Sequence, residues 1–484
     1  MIVVMKYLSE YLEHLGLNIS LENNPQVTTV ADDSRQVVPG AIFCAIKGEN
    51  IDGHKFIPQA VNSGAVAVVC SKPDCELPAG VVKVVVQDAY AVNALLWECY
   101  YDCPGRQLDI IAITGTNGKT TTAFMLKQLM QAAGLRCGLI TTVKYDLGRG
   151  QIDAERTTPM PGDLHRMFRE AVDAGCSHLV MEASSHGLAQ RRLGRTPVKT
   201  AVFTNLSGDH LDYHKTMEEY FQAKRLLFSE YLSGCAVINA DDAAGRRLLQ
   251  DYPESRSFGR NGKDCRILDV RTERDKTFWT IELCGRKISG ELPLIGEHNV
   301  ENFAAAATAA WSLGIAEDVI IRGIDDSFRV PGRLEKFNLS NGAVAFVDYA
   351  HTDDALRNVL KVLRELCHGR LFCVFGCGGD RDRSKRPRMA QAVAEFSDIV
   401  IVTSDNPRGE ESENIIADIV DGMPDGCEYI TEPDRKKAIG DAVAKAGAND
   451  IILVAGKGHE TYQEIKGRKY HFDDREIIAA AINK

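Results

Sequence analysis

The chain has 484 residues, room for about three domains at roughly 100–200 residues each. Hydrophobic residues make up 44% and charged residues 26%, an ordinary globular balance, and no run of about 18 uncharged apolar residues offers a membrane span. The formal charge of −10, with no basic run, argues against a nucleic-acid partner.

In chain order, the opening segment Met1–Gly16 reaches a charge at Lys6 and then turns amphipathic, so it predicts a short helix rather than a signal peptide, and a cytoplasmic protein. Short apolar runs follow at Ala41–Ile46, Ala65–Cys70 and Val81–Val86, separated by turn signals such as Pro39-Gly40 and Pro78-Ala79-Gly80. Tyr101–Gly105 reads as a linker that closes a first domain at residue 108. The 14 cysteines contain no Cys-x-x-Cys pair; Cys99 and Cys103 lie four apart without neighbouring zinc partners in sequence, so buried free thiols are expected.

A central domain over 109–331 starts with the apolar strand Asp109–Thr114, the loop Gly115-Thr116-Asn117-Gly118-Lys119-Thr120-Thr121 and a helix from Lys119 to about Gly134. Glycines at 115 and 118 let backbone amides approach phosphate oxygens, and the helix start adds its dipole. Lys119 supplies a full charge and Thr120 a hydroxyl for Mg2+. The standard pattern has a further glycine where Ile113 stands. Strands at His178–Met181 and Thr200–Thr204 alternate with helical segments, which predicts a parallel sheet covered on both faces. Glu182 and His210 follow those strands on the edge that carries the phosphate loop, and both are candidate metal or base residues. Lys224 falls within an apolar stripe of Tyr220, Leu227 and Tyr231 on a predicted helix. Such a lysine either snorkels to water or faces a site, where carbon dioxide can convert it to a carbamate.

From 332 to 484 a second alternating unit has candidate strands Val344–Val347, Leu371–Phe375, Ile399–Thr403 and Ile451–Ala455, each ending in a polar or glycine-rich loop. Ligands are expected beyond the carboxyl ends of such strands.

These motifs resemble those of the Mur ligases, over nearly the whole chain. The resemblance implies an α/β fold of three domains: a UDP-sugar domain (1–108), a central P-loop-type ATPase domain with a parallel sheet and helices on both faces (109–331), and a C-terminal Rossmann-like amino-acid domain (332–484). It implies ATP contacts at Gly115 to Thr121, at Asn299 and Asn302 in Gly296-Glu-His-Asn-Val-Glu-Asn, and at Arg333 and Asp348. It gives Lys119, Glu182, His210 and Lys224 catalytic roles, with Thr120, Glu182 and His210 as magnesium ligands and Lys224 as N6-carboxylysine. Asp33-Ser34-Arg35, Arg156-Thr157-Thr158-Pro159 and Glu182-Ala-Ser184-Ser-His-Gly are similar to contacts for UDP-N-acetylmuramoyl-L-alanyl-D-glutamate, with Ser34, Thr157, Thr158, Ser184, Gln190 and Arg192 as the binding residues. Arg381, Asp405-Asn406-Pro407-Arg408, Gly456 and Glu460 resemble contacts for meso-2,6-diaminopimelate. The physical reason for Arg408 is that diaminopimelate carries one more carboxylate than lysine, and a guanidinium meets a carboxylate with two parallel N–H bonds. The implied reaction is ATP-dependent amide formation through an acyl phosphate, by a monomer. The alternatives are the same ligation with L-lysine, or an inactive ATP-binding scaffold.

Overall fold

The computed structural model describes residues 5–48 and 51–482; the first four residues of the predicted N-terminal helix segment lie outside that range. The helix itself spans Leu8–Leu15 and ends at Gly16 in the left-handed conformation. By internal contacts the chain forms two compact units: Met1–Thr114, Met130–Phe203 and Gln222–Ala236 in one, Gly115–Leu129, Thr204–Phe221 and Val237–Lys484 in the other.

The first unit opens with a four-stranded parallel sheet, Val30–Ala31, Ile42–Cys44, Ala67–Cys70 and Val82–Val85 in that order. Its first three strands are apolar on both faces because both are covered, while the edge strand Val82–Val85 leaves Lys83 and Val85 exposed. Ile42, Cys44 and Val69 pack with Leu8, Leu12 and Leu96 of the helices Leu8–Leu15 and Ala89–Tyr100. Phe43, Val68 and Cys70 pack with Ile57 and Ala60 of the helix Ile57–Asn62. The expected linker at Tyr101–Gly105 is packed rather than solvated: Tyr101 stacks on Trp97 with centroids 5.9 Å apart, and Pro104 and Gly105 are buried in a short helical turn. Further parallel strands run in the order Cys137–Ile140, His178–Glu182, Asp109–Thr114, Val198–Phe203. The expected central parallel sheet is therefore present, with an antiparallel hairpin, Lys144–Asp146 and Gln151–Asp153, at its edge.

The second unit contains an antiparallel meander, Cys265–Thr272, Thr277–Leu283 and Arg286–Leu292, that the sequence reading did not anticipate. Its signal is period-two: Thr277–Leu283 alternates buried and half-buried residues along its length. The helix Glu297–Ser312 packs beside it through the run Ala304–Ala310, whose small side chains permit close approach. The C-terminal sheet has the order Glu335–Asn338, Val344–Asp348, Ile451–Ala455, Leu371–Phe375, Ile399–Val402, Tyr429–Thr431, all parallel except the first. Apolar clusters cover it on both faces. Four strands thus deliver the loops after Asp348, Phe375, Val402 and Ala455 to one edge.

Candidate active site

In the second unit, the phosphate loop is shaped by what its glycines leave out. Gly115 has φ +147° and Gly118 φ +85°, and a Cβ on either would collide, with the Thr204 hydroxyl and with Asn302 Oδ1 respectively. The loop is braced by residues that the sequence reading passed over. Thr204 Oγ1 donates to the Asn117 carbonyl at 2.6 Å, Asn117 N donates to Asn205 Oδ1 at 2.9 Å, and Thr116 N donates to the Asn205 carbonyl at 2.9 Å. Lys119 folds back so that Nζ donates to the carbonyls of Gly115 (2.9 Å) and Thr116 (2.8 Å). Thr120 and Thr121 are buried. Asn302 accepts from Thr122 Oγ1 at 3.4 Å and donates to Asn299 Oδ1 at 3.3 Å, while Asn299 Nδ2 donates to the Ile295 carbonyl at 2.8 Å. The two asparagines therefore join the loop to the start of the helix Glu297–Ser312.

Arg333 reaches the same loop: one terminal nitrogen donates to Thr120 Oγ1 at 3.1 Å, its guanidinium lies 4.7 Å over the Tyr349 ring, and its buried Nε has no hydrogen-bond partner. Asp348 faces inward. Its carboxylate accepts from Leu334 N at 2.7 Å and from Ala350 N at 2.8 Å, so it fixes the backbone on either side of Arg333 and Tyr349. Burial raises its pKa although Arg333 opposes the shift.

A cleft of about 190 Å3 opens at the carboxyl edge of the C-terminal sheet, lined among others by His210, Arg381, Asp405, Asn406, Arg408, Gly456 and Glu460. His210 stands at φ +54° ahead of the short helix Leu211–His214, with Nε2 3.4 Å from Asp209. Burial pushes the Asp209 carboxyl up, but His210, His351 and the ion-paired Lys385 together hold it below the usual carboxylate range. Arg381 lies 3.9 Å from Asp212.

Three strand-end loops interlock around the cleft. Asn406 Nδ2 donates to Glu460 Oε2 at 2.9 Å, and Lys457 Nζ donates to Asn406 Oδ1 at 3.2 Å and to Glu460 Oε2 at 3.1 Å. Gly456, at φ +110°, passes so close to Asp405 that a Cβ would stand 2.6 Å from its carboxylate. Pro407 carries the chain into Arg408, which adopts φ +50° and donates from its guanidinium to the Gly379 carbonyl at 2.8 Å. Its backbone N–H donates to the Glu464 carbonyl at 3.0 Å.

The strongest supports of this cleft were absent from the sequence reading. Lys457 is fully buried between Asn406 and Glu460. Arg435 is fully buried, pairs with Asp474 at 2.8 Å, and donates to the carbonyls of Ser404 (3.2 Å) and Ala455 (2.9 Å). It therefore clamps the ends of two strands just before Asp405 and Gly456. Arg386, 1% exposed, holds Glu410 with two bonds of 3.0 and 2.7 Å, and Glu410 in turn accepts from Asp380 N at 2.7 Å. Lys457 was visible in Ala455-Gly-Lys-Gly-His-Glu460; for Arg435 and Asp474, 39 residues apart, no local pattern existed.

In the first unit a second set assembles. Glu182, wholly buried at the end of its strand, accepts from Thr142 N at 3.0 Å and from the Thr142 hydroxyl at 3.2 Å. That hydroxyl also donates to Thr157 Oγ1 at 2.9 Å. Thr158 Oγ1 donates to the Glu182 carbonyl and accepts from Ser184 N, both at 2.9 Å. Ser184 caps the helix Ser185–Ala189 by accepting from Gly187 N. Gln190 Oε1 accepts from Arg192 at 2.7 Å, and Arg192 donates to the Thr158 carbonyl at 2.5 Å. Ser34 stands apart in the sheet domain, donating to Gln59 at 2.9 Å. Lys224 is 1% exposed on the helix Met217–Leu226, so its ammonium does not snorkel to water. Tyr220, Leu227 and Tyr231 are buried as the stripe predicts, although the helix loosens to a π turn over Leu227–Tyr231.

Comparison with known proteins gives a consistent set of likenesses. The Mur ligase middle domain signature matches residues 113–310, the Mur ligase glutamate ligase domain 332–458, and the Mur ligase family catalytic domain 26–95. The UDP-N-acetylmuramoyl-L-alanyl-D-glutamate--2,6-diaminopimelate ligase of Gloeobacter violaceus is 43% identical over 481 residues, covering 99% of this chain and 98% of its own. A solved structure of a ligase with the same description has TM-score 0.69 and 33% identity, over 100% of this chain and 99% of the other. A MurF ligase from Thermotoga maritima, solved with ADP, shares the fold at TM-score 0.63 and 20% identity, over 88% and 93%.

Proposed function

The chain belongs to the Mur ligase family and is an amide-bond-forming ligase; from that premise we propose that it uses ATP to join an amine of meso-2,6-diaminopimelate to the D-glutamyl side chain of UDP-N-acetylmuramoyl-L-alanyl-D-glutamate, in the synthesis of peptidoglycan precursors. The observation that carries the choice of amino acid is the cleft in which Arg408, Arg381, Asn406 and Glu460 converge. Arg408 and Arg381 suit a carboxylate, and Glu460 suits an ammonium. A free amino acid with a second amino-acid head at its far end matches that pattern, and lysine lacks the distal carboxylate.

The phosphate loop supports ATP as the donor. Lys119 exchanges its two loop carbonyls for phosphate oxygens, and the unpartnered Arg333 Nε is a further donor available to the nucleotide. Transfer of the γ-phosphoryl group to the substrate carboxylate turns a poor electrophile into an acyl phosphate. The diaminopimelate amine then attacks, and the tetrahedral adduct collapses to amide and phosphate. The protein's part is positioning and charge neutralisation. Asn299 and Asn302 brace the loop, and Asp348 acts through the backbone around Arg333. Thr157, Thr158, Ser184, Gln190, Arg192 and Ser34 are assigned to the nucleotide-sugar substrate.

We assign Thr120, Glu182 and His210 as the residues that would hold Mg2+, since a hydroxyl, a carboxylate and an imidazole are groups this ion accepts when water completes its shell. When bound, Mg2+ would supply positive charge to the phosphates. We assign Lys224 as the carbamylated residue, since it is a lysine buried away from water at a place where carbon dioxide can convert its amine to a carbamate.

The test is amino-acid competition. With both amino acids at equal concentration, the wild-type enzyme is expected to incorporate diaminopimelate over L-lysine by about 1,000-fold or more, and Arg408→Lys to cut that ratio at least about tenfold. Preferential incorporation of lysine by the wild type would sink the assignment. Phosphate release that needs neither substrate would favour an ATPase without ligation.

A further inference from the structure

The first unit also buries a group of ligand-type side chains that this reaction does not use. His14 lies on the helix Leu8–Leu15, Glu98 on the helix Ala89–Tyr100, and Cys103 in the turn that follows. One ligand atom from each, an imidazole nitrogen, a carboxylate oxygen and the sulfur, lies within 4.8 Å of the other two. His165, on the helix Pro161–Asp173, is wholly buried beside them, and the His14 ring is among the charges it senses. Gly194 separates Glu98 from His165: a Cβ there would stand 2.6 Å from Glu98 Oε2 and 3.4 Å from His165 Nε2. The missing side chain keeps the space between them open.

Hydrogen bonding leaves this group conspicuously incomplete. Glu98 is 1% exposed; Oε2 accepts from Arg195 N at 2.7 Å, but Oε1 has no hydrogen-bond partner. His14 Nε2 and both ring nitrogens of His165 are buried without one. Buried polar atoms are ordinarily satisfied by a partner. Glu98 Oε1 still faces the Arg106 guanidinium at 3.5 Å, so the imidazole nitrogens of His14 and His165 are the atoms left without a partner.

We propose that His14 Nε2, Glu98 Oε1 and Cys103 Sγ bind a Zn2+ ion, with a solvent molecule completing the tetrahedron. Zinc takes nitrogen, oxygen and sulfur at about 2.0–2.3 Å in a tetrahedron, which sets ligand atoms about 3.5 Å apart. The three ligand atoms, each within 4.8 Å of the others, close to that by side-chain rotation. Binding replaces the thiol proton, which leaves to solvent, so one proton is released per ion. The competing cation is Arg106, 3.5 Å from Glu98 Oε1; its side chain is 54% exposed and free to turn into water. Such an ion would staple the helices Leu8–Leu15 and Ala89–Tyr100 and the turn at Cys103 together, a structural rather than catalytic role.

Co2+ titration of the full chain tests this, because cobalt bound to a thiolate gives an intense near-ultraviolet charge-transfer band that a site without sulfur, such as Thr120, Glu182 and His210, cannot produce. The expected result is such a band, saturating at one ion per chain and displaced by Zn2+. Cys103→Ser should abolish it, and His14→Gln should weaken cobalt binding about 100-fold or more. Cys103 is only partly buried, so the serine variant is expected to fold; its metal-free thermal unfolding checks this. No band in the wild type, or a band that survives Cys103→Ser, would overturn the proposal.

Discussion

The phosphate loop and the amino-acid cleft lie in the same unit but are built on opposite plans. The loop is held mostly by neutral groups, backbone amides and carbonyls, the Thr204 hydroxyl and the amides of Asn205, Asn299 and Asn302, with Arg333 on Thr120 and Asp354 on Asn117 as the charged exceptions. Its one charge, Lys119, rests on loop carbonyls that a phosphate can replace. The cleft is held by buried charges that already have partners, Arg435 with Asp474, Arg386 with Glu410, Lys457 with Glu460. The difference follows the ligands. A triphosphate is recognised by any array of N–H donors with one mobile cation, whereas discrimination between two amino acids requires side chains fixed in place before the ligand arrives.

Three experiments probe that contrast. The largest effect should come from Lys119→Ala, which removes the loop's only full charge while leaving its neutral scaffold intact: turnover should fall about 1,000-fold or more, with unfolding unchanged. A loss below tenfold in steady-state kinetics would show that the backbone alone holds the phosphates. Next, Arg435→Met leaves the Asp474 carboxylate buried and unpaired, at a cost of about 3–5 kcal/mol in urea unfolding. Adding Asp474→Leu should recover most of that, because an apolar pair needs no solvation; failure to recover would mean that the clamp on Ser404 and Ala455 matters more than the charge.

The smallest effect concerns pH. Glu301, beside Asn302 on the helix that braces the loop, is pushed up to about 7 chiefly by burial, with Glu297 and Asp241 adding to it. Between about pH 4.5 and 7 the folded state therefore keeps a proton that the unfolded chain has released, so this group's contribution to stability falls as pH rises, by at most about 3 kcal/mol. Glu410, held at about 2 chiefly by Arg386, gives no slope in that window, because its stabilisation is lost only as pH falls below about 4.5. Glu301→Gln should flatten the pH dependence of the unfolding midpoint between pH 5 and 7.5, while Glu410→Gln lowers the midpoint throughout. A wild-type slope that persists in Glu301→Gln would assign it elsewhere.

Much of this was legible in the chain itself. The apolar strands Asp109–Thr114, His178–Glu182, Leu371–Phe375 and Ile451–Ala455 announce two-sided burial, and the glycines at 115 and 118 mark positions that no side chain can occupy. Lys224 stood out because a charge inside an apolar stripe is rare. These are local signals, set by periodicity and by backbone sterics within a dozen residues. The meander over Cys265–Leu292 was also local but was missed, because its alternation is half-polar and lacks solid apolar runs.

What the sequence could not determine is which distant polar groups meet. Arg435 and Asp474 are ordinary charges 39 residues apart until two strands and two helices bring them together. His14, Glu98, Cys103 and His165 come from three helices and a turn, and Cys103 looked like a lone thiol for want of neighbours in sequence. Burial and partnership are properties of the packed chain: a residue's chemistry is written in its type, but whether it is solvated, paired or left as an orphan is decided only when the surfaces around it close.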